Sequence, residues 1–425
     1  MRLFRKPVSI LLSLIMVVSL FTIVPFTANA ADAVEYLYRT WDARQNKVVA
    51  HTATCTDYTT ITSTSSPLTL TSGWYVVNGD ANITDHRITI SGKVYLILVS
   101  GTMDCEYGIR LSKGNSLYVY QGKNTYGTLN ARTGSDEEAN IGGDEGENCG
   151  EFEFHGGNLK AYNNDWCSGG TAIGGGGDGG NCGALSFYGG KVDVKNNGKA
   201  AARRSYGAAI GCGNDADSTG SDCYINIYGG TITADNKSDT TAACIGGGED
   251  SKCAPINIYG GKITARSYNG AAIGSGQDGT ANTITIKNAV IDAESGYGAA
   301  IGSGEDSDAK AITIDNSNVK AVTELSMGQR PSEGAAIGGG NCGKSTSIKI
   351  SKSVITASAR GYGAGIGGGD ESDGGDIEIT DSNVFAHSAQ GGAGIGGGDE
   401  KGCGTITLKN SFVCAITDSE VNTAG

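Results

Sequence analysis

The chain is short of proline, of histidine and of positive charge. Only 5 of its 425 residues are proline and 4 are histidine. Its 12 cysteines include no Cys-X-X-Cys pair, and with so little histidine this argues against a zinc site. No Leu-X-X-Leu-X-Leu pattern occurs, which excludes a leucine-rich repeat.

The deficit of positive charge excludes two classes of partner. The net charge is −13, whereas nucleic acid demands a basic protein face. The same charge argues against electrostatic binding to anionic lipid. It is compatible with neutral or cationic glycans and with divalent cations.

The first thirty residues have the features of an export signal. Arg2, Arg5 and Lys6 give a basic start, residues 9–24 are mostly apolar, and Ala-Asn-Ala at 28–30 is a small-X-small cleavage site. The sequence therefore predicts a signal peptide over 1–30. The alternative, a transmembrane anchor, is disfavoured because no charged stop-transfer flank follows. The mature chain is expected to be secreted, extracellular or on the cell surface, with no membrane insertion after cleavage.

Glycine is abundant, at 69 residues, and much of it belongs to a repeat. A block built around Ala-Ile-Gly-X-Gly recurs nine times at intervals of 28 to 37 residues, with isoleucines at 141, 173, 210, 245, 273, 301, 337, 366 and 395. After each block come a Gly-rich stretch, acidic in all but one repeat, and an alternating strand such as Ile-Asn-Ile-Tyr at 225–228. A period of this size is typical of stacked repeats that bury their apolar faces against one another.

Three short strands in each repeat, without helical periodicity, predict an all-β fold. Apolar and polar residues alternate along the strands, so that one side points inward. A β-propeller would need four antiparallel strands and a longer period. We therefore expect one right-handed parallel β-helix, with regular repeats over 139–425. Residues 31–138 are expected to form an N-terminal cap and irregular first coils, although 31–60 show little pattern.

Several segments resemble one group of proteins. These are Trp-Tyr-Val-Val at 74–77, Gly-Asn-Ser-Leu-Tyr-Val-Tyr at 114–120 and the repeated Gly-Ala-Ala-Ile-Gly-Gly-Gly blocks. They resemble secreted β-helix proteins of gut Firmicutes that are often labelled carbohydrate-binding domain-containing, over roughly residues 70–415. The broader resemblance is to pectate-lyase-like β-helices, which include polysaccharide lyases and glycoside hydrolases. No family catalytic motif matches residue by residue, and the fold alone does not decide among these functions.

Carboxylates follow eight of the nine Ala-Ile-Gly blocks, all but the one at Ile337, and stacking would place them along one edge. Oxygen-rich clusters suit Ca²⁺, and the candidate ligands are Asp178, Glu249, Asp250, Glu305 and Asp306. The densest group, Asp370, Glu371 and Asp373, is the best candidate for catalysis. The third interpretation is a solvated acidic edge that only aids solubility. No other cofactor is expected.

Aromatic residues recur at one outward position of consecutive repeats. His155, Tyr188, Tyr228 and Tyr259 share this position, and Asn226 and Asn257 point the same way. Stacked rings offer a platform for pyranose faces, and amides can bind hydroxyls. The alternative is that the rings stack only to stabilise the coils.

Insertions and cysteines add further candidates. Trp166 lies outside the strand pattern, and Arg203, Arg204 and Arg330 lie in two other insertions, which tend to map to one face of a solenoid. An exported chain can form disulfides, and spacing suggests Cys223 with Cys253 and Cys149 with Cys182. Reduced, buried thiols are the alternative.

Together these features predict an extracellular glycan-binding or adhesion module, whose partner is a carbohydrate or a glycan on a host or cell surface. The alternative is a polysaccharide-active enzyme, either a glycoside hydrolase or a lyase, and a third possibility is a purely structural surface stalk. The regularity of the repeat argues against catalysis, because every candidate acid has copies above and below it.

Overall fold

The computed structural model describes residues 32–133, 135, 137–163, 169–196, 205–236, 240–324, 332–343, 345 and 347–418. These residues form strands and turns. Among them there is no helix that could span a membrane. The predicted signal peptide and the insertions with Trp166, Arg203, Arg204 and Arg330 lie outside the described residues, so their roles stay predictions.

The chain is a right-handed parallel β-helix, as the sequence predicts. Each coil adds one strand to each of three parallel sheets, and every strand pairs with its counterpart one coil later.

The first sheet consists of the two-residue strands of the Ile-Gly repeat. Ile141 aligns with Ile173, and the same register continues through Ile395. Its strands are β8 (Ile109–Arg110), β11 (Ile141–Gly142), β14 (Ile173–Gly174), β17 (Ile210–Gly211), β20 (Ile245–Gly246), β23 (Ile273–Gly274), β26 (Ile301–Gly302), β29 (Ile337–Gly338), β32 (Ile366–Gly367) and β35 (Ile395–Gly396).

The second sheet carries the alternating strands and the aromatic positions. Its strands are β3 (Thr59–Thr60), β4 (Thr69–Asn78), β6 (Ile88–Ser100), β9 (Ser116–Gly122), β12 (Glu151–Phe154), β15 (Ala184–Phe187), β18 (Tyr224–Ile227), β21 (Ile256–Ile258), β24 (Thr280–Lys287), β27 (Asp308–Asp315), β30 (Ser347–Ser351), β33 (Asp376–Thr380) and β36 (Ile406–Lys409).

The third sheet has twelve strands and closes the coils. Its strands are β5 (Ala81–Ile83), β7 (Thr102–Cys105), β10 (Thr128–Thr133), β13 (Asn158–Asn163), β16 (Lys191–Lys195), β19 (Thr231–Asn236), β22 (Gly261–Ser267), β25 (Ala289–Ser295), β28 (Asn318–Thr323), β31 (Val354–Ala359), β34 (Asn383–Ser388) and β37 (Phe412–Thr417).

The core of the solenoid is a stack of isoleucines, valines and alanines from all three sheets. In β18, Ile225 and Ile227 are completely buried while Asn226 and Tyr228 are only half-buried on the outer side. The period-two alternation of the sequence therefore assigns the inner and outer sides of each strand correctly, because successive side chains of a strand point to opposite faces.

The glycine of each Ile-Gly strand is required by two constraints at once. Gly274 has φ of +150°, and a Cβ atom there would lie 1.7 Å from the carbonyl oxygen of Gly302 in the next coil. Its equivalents before and after share both properties, for example Gly246 and Gly338. The close approach of neighbouring coils thus explains why this position is glycine in every repeat.

Residues 34–55 form an antiparallel hairpin that is not part of the coils and packs against their outer surface. Strands β1 (Val34–Asp42) and β2 (Lys47–Cys55) pair with each other, and β1 also pairs briefly with the end of β9. The turn between them is held by the Asp42 carboxylate, which accepts hydrogen bonds from the backbone N–H groups of Arg44 and Gln45 at 2.9 and 3.1 Å. The sequence shows little pattern here because the hairpin packs on the outside of the second sheet rather than into a coil.

The Ile-Gly strand gives a direct test of the stacking constraint. Gly274→Ala should lower the free energy of unfolding by about 3 kcal/mol or more, because the new methyl group collides with the next coil in a strained conformation. Gly402→Ala is the matched control, since a Cβ there would meet its nearest atom at 3.7 Å. Chemical denaturation of both variants measures the difference, and equal stabilities would contradict the explanation.

Candidate functional site

The aromatic positions predicted from the sequence form one continuous ladder on the outer side of the second sheet. Ring centroids are separated by 4.7 Å between His155 and Tyr188, 4.7 Å between Tyr188 and Tyr228, and 5.5 Å between Tyr228 and Tyr259. Their planes are inclined to one another by only 1° to 19°. The faces of these rings are therefore largely covered by the neighbouring rings of the ladder.

The ladder continues into the N-terminal coils, where the sequence analysis did not follow it. Tyr120 stacks on His155 at 4.7 Å, and Trp74 stacks on Tyr120 at 5.8 Å and on Tyr95 at 4.6 Å. The signal was hidden because coil lengths vary in this region. The strand register places His155 beside Tyr120 and stacks Trp74, Tyr95 and Tyr118 in a second column next to it.

The N-terminal hairpin covers much of this ladder. Tyr36 lies 5.1 Å from both Trp74 and Tyr120 and is only 8% exposed. Trp41, near the tip of the hairpin, lies 5.3 Å from the rings of Tyr228 and Tyr259. The hairpin therefore covers part of the platform expected from the sequence: His155 and Tyr120 are buried, whereas Tyr188, Tyr228 and Tyr259 stay half-buried.

Arg39 fastens the middle of the hairpin to the ladder. Its backbone N–H donates to Nδ1 of His155 at 3.1 Å, and its guanidinium group donates to the His155 carbonyl oxygen and, at 3.1 Å, to Gln121. Because Nδ1 accepts, Nε2 carries the proton and donates to Glu153 at 3.0 Å. Burial lowers the pKa of Arg39 below its ordinary value, but an arginine remains charged at neutral pH. His155 is thus a buried link between hairpin and solenoid.

A groove of about 420 Å³ remains between the hairpin tip and the ladder. Trp41 and the edges of Tyr188, Tyr228 and Tyr259 form its aromatic side. The polar side chains that line it are Arg39, Asn46 and Lys47 from the hairpin and Asn288 from the turn after β24. Two distant parts of the chain thus combine aromatic rings, amides and two cations in one concave surface.

The two predicted asparagines lie beside this ladder and are partly engaged. Asn226 donates to the Tyr228 hydroxyl at 3.2 Å, and Asn257 donates to Asn226 at 3.0 Å. Both side chains are half-buried. They therefore link neighbouring coils and also hold the hydroxyl of a ladder tyrosine.

The acidic residues predicted to follow the Ile-Gly strands lie at equivalent turn positions, where several aspartates adopt a left-handed backbone conformation. Asp178, Asp215, Asp250, Asp278 and Asp306 all have φ between 51° and 56°. The residues that directly precede these aspartates form a second, parallel column, to which Glu249 and Glu305 belong. The backbone N–H groups of Asp215 and Asp278 donate to the carbonyl oxygens of Glu249 and Glu305, respectively, each at 2.9 Å. Aspartate tolerates this left-handed conformation better than most residues. The turn geometry therefore accounts for part of the acidic pattern.

Like charges stack along this edge, and their effect is visible at Asp278. Burial, followed by the neighbouring carboxylates of Asp250 and Asp306, raises the pKa of Asp278 above its ordinary value. Within the described parts of the chain, no three His, Cys, Asp or Glu side chains are arranged so that they could hold a metal ion. Calcium binding by Asp178, Glu249, Asp250, Glu305 and Asp306 stays a prediction.

The three acids proposed for catalysis also support turns. The Asp370 carboxylate accepts from the backbone N–H of Glu371 at 2.9 Å, and Asp373 accepts from that of Gly402 in the next coil at 3.0 Å. Burial, and then the charges of Glu371 and Asp399, raise the pKa of Asp370. A raised carboxyl pKa suits a general acid, but the catalytic role stays a prediction.

A cluster of charges at the N-terminal end of the acidic edge escaped the sequence analysis. Arg87 lies 2.9 Å from Glu138 and 3.4 Å from Asp144, and Arg110 lies 2.9 Å from Asp144 and also binds Glu147. Arg110 lowers the pKa of Glu147. The pairs join three coils, and the two arginines partly neutralise the three carboxylates at this end of the edge. The paired residues are up to 57 positions apart in the chain, so spacing could not reveal them.

The charge repulsion along the acidic edge predicts a stabilising substitution. The raised pKa of Asp278 means that stability falls as pH rises from the ordinary carboxyl pKa through the raised one. Because Asp278 is exposed, solvent screens the repulsion, so Asp278→Asn should raise the free energy of unfolding at pH 7 by only about 0.5 kcal/mol, and the gain should shrink at high salt. Asparagine keeps the left-handed turn.

Glu106→Gln is the control for this charge effect, because Glu106 is exposed and lies away from the edge. Thermal melts at pH 4 and pH 7, at low and high salt, distinguish the two variants. A gain that is independent of pH and salt would show that repulsion is not its cause.

The packing of the hairpin predicts local rather than global loosening. Tyr36→Ala should cost about 3 kcal/mol of hairpin stability, so that amides in 34–55 exchange faster with solvent while those of the coils keep their protection. The control is Tyr107→Ala, since Tyr107 is 42% exposed. Hydrogen exchange followed by mass spectrometry measures both, and uniform loss of protection along the solenoid would contradict a separately docked hairpin.

Comparison with known proteins agrees with this architecture. A family model described as a beta helix repeat matches residues 256–277, 284–305, 312–341, 348–370 and 377–399. No curated protein and no solved structure matches the chain significantly. Each matched segment begins at the first inward isoleucine of a second-sheet strand and ends in the turn that follows the next Ile-Gly strand. The similarity to beta helix repeats thus covers the most regular coils, and the chain is a β-helix protein.

Proposed function

We propose that this protein is an extracellular glycan-binding or adhesion module, and that the groove beneath the hairpin tip holds the sugar. The observation that carries the proposal is the composition of the groove. Trp41 and three tyrosines supply aromatic surface, and Asn46, Lys47 and Asn288 supply hydrogen-bonding groups. Sugars present apolar C–H faces and polar hydroxyls together, which this combination suits.

The character of the walls also limits the ligand. The tyrosine faces are stacked on one another, so the ladder contributes mainly ring edges and hydroxyls. Trp41 is the aromatic residue that the hairpin brings to the groove, and it is half-buried. A short glycan segment is therefore a better fit than a long chain lying along the whole ladder. The net charge of −13 disfavours an anionic glycan. The charged groups in the groove itself, Arg39 and Lys47, are cations and disfavour a cationic one, so a neutral glycan fits best.

The proposed location outside the cell rests on the predicted signal peptide over 1–30. Polysaccharide cleavage remains the alternative prediction. Its candidate acids Asp370, Glu371 and Asp373 lie on the acidic edge, whereas the groove lies on the outer side of the second sheet. Binding and cleavage would therefore use different surfaces, which allows an experiment to separate them.

A glycan array followed by calorimetry on the strongest ligand tests the proposal. Trp41→Ala should weaken binding about tenfold, which corresponds to the loss of roughly 1.4 kcal/mol of stacking. Trp41→Phe should restore most of the affinity because it keeps an aromatic face. Tyr126→Ala is the matched control, since Tyr126 is 61% exposed and does not line the groove.

Three outcomes would overturn or redirect the proposal. If the wild-type protein binds no glycan, the module is not a lectin-like binder. If Trp41→Ala binds as tightly as wild type while hydrogen exchange shows an intact hairpin, the groove is not the site. If reducing ends or unsaturated products accumulate, and Asp370→Asn abolishes them, the protein is an enzyme.

A further inference from the structure

Four cysteines with buried side chains lie close to one another inside the solenoid, where the coil register brings neighbouring coils together. The Cys182 side chain makes hydrogen-bonding contact with those of Cys212 and Cys223, and Cys212 makes a second such contact with Cys253. Cys182 and Cys212 are completely buried, Cys253 is 1% exposed and Cys223 is 6% exposed. The order along the line is thus Cys223, Cys182, Cys212 and Cys253.

The coil register explains the first contact. Cys182 and Cys223 shortly precede β15 and β18, which pair in parallel with Ala184 opposite Tyr224. The two cysteines therefore occupy neighbouring coils at almost the same height. Neighbouring strands lie about 4.8 Å apart, which is within the Cα separation of about 4.4–6.8 Å that a disulfide spans.

Ser218 lies between the cysteines of the second contact, Cys212 and Cys253. The Cys212 thiol donates to the Ser218 hydroxyl at 3.2 Å. Asp217 bridges Lys252 in parallel, which places Ser218 beside Cys253. Cys212 and Cys253 thus approach each other around one serine, again from different coils.

The linear order leaves a single way to pair all four thiols through existing contacts. We propose that Cys182 pairs with Cys223 and Cys212 with Cys253, so that two disulfides lock consecutive coils from the inside. A central bond between Cys182 and Cys212 would leave Cys223 and Cys253 without a neighbouring thiol to pair with. This connectivity differs from the pairs that sequence spacing suggested, and it is independent of sugar binding.

A surface pocket gives access to the outer pair. Cys223 and Cys149 line a pocket of about 290 Å³ together with Lys113, Asn115 and Asn148. The hydrogen bond from Cys182 lowers the pKa of Cys223, whereas burial raises the pKa of Cys149 to about 12. Cys223 is therefore the better nucleophile of the two, because the thiolate is the reactive form.

The oxidant is a small-molecule disulfide such as oxidised glutathione. The Cys223 thiolate attacks one sulfur and releases the first small thiol, leaving a mixed disulfide. Cys182 then loses its proton, attacks the Cys223 sulfur and releases the second small thiol. The protein pair is oxidised by two electrons, and the small disulfide is reduced to two thiols. For the deeper pair the same exchange takes place during folding.

Disulfide mapping of the full chain tests the proposal. The protein is unfolded with reductant and refolded with reduced and oxidised glutathione. It is then denatured in the presence of N-ethylmaleimide, which alkylates the remaining free thiols, and cleaved at aspartates. Asp215 and Asp217 separate Cys212 from Cys223, so each of the four cysteines lies on its own peptide. We expect peptides of Cys182 linked to Cys223 and of Cys212 linked to Cys253, both released by reduction.

Two variants sharpen the test. Cys212→Ser should leave Cys253 alkylated and the bond between Cys182 and Cys223 intact. Cys244→Ser, at another completely buried cysteine, should leave both bonds intact. A link between Cys182 and Cys212, or alkylation of all four thiols in refolded protein, would overturn the proposal. Should refolding fail, native protein incubated with oxidised glutathione must still gain the outer bond and melt at a higher temperature than its reduced form.

Discussion

The hydrogen-bonded register between consecutive coils is the constraint on which the rest of the structure depends. Each strand pairs in parallel with its equivalent in the next coil, so a residue type repeated in sequence becomes a column in space. Isoleucine over isoleucine builds the core, and glycine over glycine lets neighbouring backbones approach. Since a Cβ atom at the second position would collide with the next coil, a single wrong residue would disturb the stacking.

The same stacking is favourable for some columns and costly for others. Aromatic rings gain contact when they are placed 4.7 to 5.5 Å apart. Carboxylates placed in the same way repel, and this repulsion adds to partial burial in raising the pKa of Asp278. The acids nevertheless persist where the turn needs a left-handed residue, so local backbone geometry and long-range repulsion oppose each other along this edge.

Features with a distinctive chemistry arise where the chain departs from the repeat. The hairpin is antiparallel and packs outside the coils. It forms one wall of a groove whose other wall is the aromatic ladder. The thiol line occurs in the coils between Cys182 and Cys253, where cysteine replaces the usual small or apolar residue. The proposals for sugar binding and for the internal disulfides both rest on these departures.

The sequence by itself determined the β-helix, its inward and outward residues and the aromatic and acidic columns, because a parallel stack converts period directly into position. Alternation placed Ile225 and Tyr228 on the correct sides for the same reason. Only the tertiary structure decided that a hairpin covers His155 and Tyr228, that Arg87 and Arg110 meet the acidic edge, and which thiols touch. These contacts join segments without a common period, so their partners are chosen by packing in three dimensions and leave no regular trace in the sequence.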